Sequence, residues 1–145
     1  MQLITHPNDK LRIKTKPVLE VTPELVDTAL EMYELMKAER GIGLSAPQVG
    51  LDISLIVIED NGSPMILFNP VILNRSKDTE YTAEGCLSFP DVWRIIKRPK
   101  EVTVKYRSIH GKMQYAVLKG IQARCLIHEV DHLLGKLFID LDEKY

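Results

Sequence analysis

Residues 125–135 read "CLIHEVDHLLG", and within them His128, Glu129 and His132 form H-E-x-x-H. On a helix, residues four apart share a face one turn above the other, so His128 and His132 can grip one metal ion. Glu129 is rotated away from that face, where its carboxylate can serve as a base for the water such an ion activates. Apolar neighbours Leu126, Ile127, Leu133 and Leu134 flank the motif. His and Glu set in so apolar a helix are costly to bury without partners. Two imidazoles do not complete a catalytic site, which needs a third protein ligand.

Downstream there is no good donor. The extended pattern H-E-x-x-H-x-x-G-x-x-H fits through Gly135 but ends on Phe138, which cannot ligate, and Asp140, Asp142 and Glu143 fall in a short terminal tail. Cys125 lies seven residues before His132, about 10 Å along a helix axis, too far for one ion, so it is expected to be a small core residue. Cys86, in "AEGCLSFP", sits in a Gly-flanked turn that can bring a thiolate up to a metal. Cys86, His128 and His132 suit Zn²⁺ or Fe²⁺ and leave one position open for water. His6 and His110 are isolated, and both are expected at the surface.

The elements that must position these groups follow from pattern. Thr22 and Pro23 open a helix in which Leu25, Ala29, Met32, Tyr33 and Met36 recur at helical spacing up to Arg40, with Gly41 as its cap. A Gly/Pro-punctuated loop covers 41–50. Strands are expected at 53–59 and 65–73 around an Asn61-Gly62 turn, the second interrupted at Pro70, and at 101–107 and 113–119 around His110-Gly111-Lys112. Residues 1–21 look extended. A second helix is expected from Gly120 to about Leu134, with Ile121, Cys125 and Leu126 on its buried side. Helices among hairpin-linked strands make the class α+β, with antiparallel sheets around a central HExxH helix and one domain over 1–145.

Composition adds exclusions. With 19 Lys and Arg against 20 Asp and Glu, net charge gives no case for nucleic acid or a membrane as partner. No apolar run approaches the roughly 20 residues that span a bilayer, and the first 20 residues lack the apolar core of a signal peptide. Two cysteines make no disulfide framework, so a reducing cytoplasm is the default compartment; independently of that, a monomer is the default state.

Three motifs, "GIGLSAPQ" (41–48), "EGCLS" (84–88) and "HEVDH" (128–132), stand in the order and at about the spacing found in peptide deformylases, and the opening "LITHPNDKLRIKTKPV" is similar too. The chain resembles that family from residue 2 to about 141. The resemblance implies Cys86, His128 and His132 as ligands of one divalent ion, Fe²⁺ natively with Zn²⁺, Ni²⁺ or Co²⁺ as substitutes. It implies Glu129 as general acid/base, with the Gln48 amide and the Leu87 N–H as donors to the developing oxyanion. Gly43 would line the substrate cleft, and Glu84 with Arg98 would brace the Cys-bearing loop. The implied reaction removes the formyl group from the amino-terminal Met of new polypeptides and releases formate. Ile42, Ile121 and Cys125 are candidate walls of a Met pocket, with Arg124 either at its rim or facing solvent. The alternatives are an inactive formyl-peptide-binding module on the same fold and a metallopeptidase cutting internal amides.

Three departures from the family pattern stand out. Ser45 replaces the usual Ala, with little effect expected. Ile127 replaces a common Gln before the first His, which would remove a polar group from the rim of the site. Many bacterial members continue into a further helix implicated in docking near the ribosome exit; this chain stops at Tyr145. A minimal form without that helix is therefore expected, such as a phage-encoded one acting in a bacterial host's cytoplasm.

Overall fold

The structure is a computed structural model, described over residues 1–141; Asp142, Glu143 and Tyr145 lie outside the described residues. Helix α1 (Pro23–Ala38) starts where expected, with the Thr22 hydroxyl accepting the Leu25 N–H at 3.2 Å. Its end differs from expectation. Arg40, not Gly41, takes the left-handed conformation (φ 60°), while the Arg40 and Gly41 N–H groups return to Lys37 and Met36. Gly41 is small for another reason: a Cβ there would come within 2.7 Å of the Leu87 side chain.

The strands are β1 (Gly43–Ser45), β2 (Leu55–Asp60), β3 (Ser63–Arg75), β4 (Thr79–Cys86), β5 (Phe89–Pro99), β6 (Glu101–Arg107) and β7 (Met113–Lys119). One antiparallel sheet has the order β1-β2-β3-β6-β7, and β4 and β5 form a separate pair. Helix α2 (Gly120–Leu133) carries the HExxH motif. Short 3₁₀ turns occupy Asp9–Arg12, Ala46–Val49 and Phe138–Asp140.

Strand β2 is buried on both faces. Leu55 and Val57 join the core under α1, and Ile56 and Ile58 the core under α2, which is why its sequence is a continuous apolar run. Strand β6 has one wet face, with Val102 and Val104 turned inward, and so alternates. The 53–59 strand begins only at Leu55, because Ile53 instead bridges to Lys16. Pro70 bends β3 without ending it: the register with β6 shifts between Phe68 and Val71. At that bend the Asn69 side chain replaces a strand neighbour, accepting the Val18 N–H at 2.8 Å and donating to its carbonyl at 2.7 Å.

Residues 79–99 give no clear strand signal because their hairpin is largely exposed on both faces; Glu84, Ser88, Phe89, Ile96 and Arg98 are its buried residues. Cys86 is accordingly the last residue of β4, beside the turn, and not inside it. Ile127 is 1% exposed in the core with Ile56 and Val104, so the expected loss of a rim group does not occur there. No helix among the described residues is long and apolar enough to cross a membrane.

Helix α2 ends in a double return bond, Gly135 N–H to His132 and Lys136 N–H to Asp131, with Gly135 at φ 73°. A Cβ on Gly135 would stand 2.5 Å from the Arg12 carbonyl oxygen. Gly111 shares the left-handed conformation (φ 74°) but has nothing within 4 Å of that position. Gly111→Ala is expected to cost about 1 kcal/mol in urea unfolding, from backbone strain alone. Gly135→Ala is expected to cost about 2 kcal/mol or more, because the clash adds to the strain. Equal losses would show that the contact with Arg12 relaxes freely.

Candidate metal centre and cleft

The expected ligand set converges. One ligand atom each from Cys86, His128 and His132 lies within 4.8 Å of the others, and Cys86 Sγ is 3.4 Å from His132 Nε2. Strand β4 delivers the thiol and α2 both imidazoles. His128 is oriented from behind: its Nδ1 donates to Glu84 Oε2 at 2.6 Å, so that Nε2 is the nitrogen facing Cys86 and His132.

Glu84 is the centre of a buried network. Burial opposes its charge, but hydrogen bonds from His128 and Arg98 outweigh that and hold its pKa at about 2. Arg98 donates to it twice, at 3.1 and 2.7 Å, and reaches Asp131 at 3.0 Å. This is the expected brace. Arg124 lines the cleft, as expected, but does not face solvent: it is 7% exposed, and its guanidinium is occupied by Glu84 (3.1 Å) and the Ile96 and Glu80 carbonyls (both 3.0 Å). Asp131 and Arg124 are the members of the network that sequence reasoning missed. The available signal was that Arg124 and Asp131 are charged residues beside Cys125 and Val130 on a helix whose middle is buried.

Glu129 is 4% exposed, and burial lifts its pKa to about 7. Its Oε1 and His132 Nδ1 are buried without a hydrogen-bond partner among the described residues. Burial works against an imidazolium at His128, yet Glu129, Cys86 and Glu84 outweigh it and raise that pKa well above 6.5. At His132, burial and His128 push the pKa well below 6.5. Acidic neighbours around His128, a donor set of one thiol and two imidazoles, and an unpartnered carboxylate oxygen together fit a divalent cation with a polar reactant beside it.

A cleft of about 820 Å³ opens onto this centre between β1 and β4, lined by Ile42, Gly43, Leu87, Trp93, Ile121 and Cys125 among others. Gly43 cannot carry a side chain: a Cβ would run into Cys125 Sγ and come within 2.7 Å of Glu129 Oε2. Cys125 is buried, as expected, and burial raises its thiol pKa. Ile121 was expected on the buried side of α2 but is 68% exposed, because the first helical turn faces the open cleft. Gln48 is 1% exposed, with its Nε2 3.6 Å from Cys86 Sγ and 3.1 Å from Ser88 Oγ. Ser88 was not singled out in the sequence. His6 is exposed as expected, and its ring stacks on Phe89 at 4.6 Å.

Because Glu84 is held at about 2 against an ordinary 4.5, its contribution to stability is complete above about pH 4.5 and is lost as pH falls toward 2. Urea unfolding between pH 6 and 2.5 is expected to show a loss of stability in the lower half of that range. In Glu84→Gln the unfolding free energy starts lower and the drop shrinks. An unchanged acid limb in that variant would assign the loss to other carboxylates.

A family model for polypeptide deformylase matches residues 1–144. The peptide deformylase of Borreliella burgdorferi is 40% identical over 146 residues, covering 99% of this chain and 88% of that protein. That of Desulforudis audaxviator is 37% identical, covering 96% and 91%. Among solved structures, the peptide deformylase of Thermotoga maritima superposes with a TM-score of 0.95 at 37% identity, covering 99% of this chain and 97% of the other. The enzyme from Synechococcus elongatus, solved in complex with actinonin, gives 0.95 at 41% identity, covering 99% and 79%. With the match spanning both sheets, both helices and all three motifs, the chain belongs to the polypeptide deformylase family.

Proposed function

We propose that this chain removes the formyl group from the amino-terminal formylmethionine of new polypeptides, with one divalent ion held by Cys86, His128 and His132. The observation that supports this most is the meeting of a thiol and two imidazoles beside Glu129, at the floor of a cleft open to peptide. The donor set suits Fe²⁺, with Zn²⁺, Ni²⁺ or Co²⁺ able to replace it. Such an ion supplies Lewis acidity toward the formyl oxygen and brings the pKa of water down to about 7.

The protein's own groups do the rest. Ile42, Ile121 and Cys125 offer apolar walls for the Met side chain, and Gly43 lets the substrate backbone approach Glu129 closely. The Gln48 amide and the Leu87 N–H meet the charge that collects on the formyl oxygen when water adds to the carbon. A fixed donor of this kind contributes about 3 kcal/mol to lowering the barrier. Glu129 takes the proton from the attacking water and passes it to the leaving amine as the C–N bond breaks, giving formate and a free α-amine. A carboxyl with a pKa of about 7 can both accept and return a proton near neutrality.

The test is formate release from an N-formyl-Met peptide by protein purified without oxygen and loaded with Fe²⁺ or Ni²⁺. N-acetyl-Met peptide and casein serve as controls. Release from the formyl peptide alone is expected, lost on chelation and restored by the ion. Binding without release would instead identify a formyl-peptide-binding module. Glu129→Gln is expected to retain the metal while losing about 10²–10⁴-fold in kcat. Near-normal turnover in that variant would remove Glu129 from the acid/base role.

A further inference from the structure

We infer that Ser45 is a positioning residue: its hydroxyl fixes the orientation of the Gln48 side-chain amide. This rests on the reading of Gln48 as a donor to the formyl oxygen. Ser45 is fully buried, and Gln48 is 1% exposed. Gln48 Oε1 accepts two hydrogen bonds at 3.0 Å, one from the Ser45 N–H and one from the Ser45 hydroxyl. Both lone pairs of the amide oxygen are therefore used, and turning the amide over would set its NH₂ against a backbone N–H. At the other end, one Nε2 hydrogen goes to Ser88 Oγ (3.1 Å), whose own hydroxyl donates to the Ile4 carbonyl at 2.6 Å. The second Nε2 hydrogen is left on the side of Cys86 Sγ, 3.6 Å away, facing the metal centre.

The four groups form a chain in which each donor feeds the next acceptor: Ser45 hydroxyl, Gln48 amide, Ser88 hydroxyl, Ile4 carbonyl. Bonds aligned this way polarise one another, so a donor placed on Oε1 makes the Nε2 hydrogens better donors. An Ala at position 45 keeps the backbone N–H and loses the hydroxyl. The expectation that Ser here changes little, based on size, misses this bond.

The test is a double-mutant cycle on metal-loaded protein, with kcat and KM measured on an N-formyl-Met peptide for wild type, Ser45→Ala, Gln48→Leu and the double variant. Ser45→Ala is expected to lower kcat about 3–10-fold, the size of one hydrogen bond, with KM unchanged. Gln48→Leu is expected to lower kcat about 100-fold or more. In the Gln48→Leu background, removing the Ser45 hydroxyl then changes nothing. Solvent exchange of the Gln48 side-chain NH₂, followed by NMR, is expected to quicken in Ser45→Ala, which reports on orientation independently of turnover. Wild-type kcat in Ser45→Ala, or the same fold-loss in both backgrounds, would overturn the positioning role while leaving Gln48 in place. Wild-type kcat in Gln48→Leu would overturn the oxyanion reading itself, and the role of Ser45 with it.

Discussion

Two carboxylate oxygens of Glu84 take four donors from two other parts of the chain: Arg98 twice from β5, and Arg124 and His128 from α2. Most of the metal centre's geometry depends on that arrangement. The β4–β5 hairpin buries few side chains, so apolar packing alone gives it little hold on the domain. Yet it must deliver Cys86 to two imidazoles on a helix that belongs to the other sheet's core. The polar network locks the hairpin to α2 in one register. It also fixes the His128 tautomer through the same carboxylate. Buried ion pairs are weak sources of net stability, since desolvation cancels much of their attraction. What this one provides is position, with two guanidiniums set against Glu84 and Asp131 to keep the buried charge balanced.

The same few ångströms hold a second carboxylate with the opposite character. Glu84 is surrounded by donors and stays ionised down to about pH 2, whereas Glu129 is buried with an unpartnered oxygen and titrates at about 7. One type of side chain thus plays two parts, a permanent anion that orients and a group that can carry a proton at neutral pH. The difference comes from environment. Gly43 and Cys125 press close to Glu129, which is 4% exposed and so largely stripped of solvent. Glu84 has exchanged its solvent shell for guanidinium and imidazole N–H groups.

What was legible in the sequence follows from how local each signal is. The i, i+4 histidines lie on one helix, so their pairing is written in spacing alone. Strand 101–107 has one wet face and one dry face, and it alternates accordingly. Strands β4 and β5 do not, because both of their faces are largely exposed. Cys86 could be reached only by eliminating the other donors and by resemblance. Arg124's pairing was not legible because helical phase says that it shares a face with His128, but not that its long side chain turns inward to a carboxylate forty residues away. Ser45 was judged by volume, and volume says nothing about a hydroxyl hydrogen bond.

The opening residues, which look merely extended in the sequence, turn out to hold the three motifs together. Ile4 donates its N–H to the Gln48 carbonyl at 2.7 Å and accepts from Ser88 at 2.6 Å, bridging the first motif to the second. Thr15 donates its N–H (2.9 Å) and its hydroxyl (3.2 Å) to the Leu133 carbonyl, capping the helix of the third. That cap matters to the metal centre. His128 and His132 occupy the last two turns of α2, so fixing the helix end fixes both imidazoles. Gly135 must then turn the chain sharply enough to pass under Arg12. An extended segment that donates to both loop and helix end is the least expensive way to fix elements that no single sheet unites, because its backbone groups are already unpaired and need partners wherever they are buried.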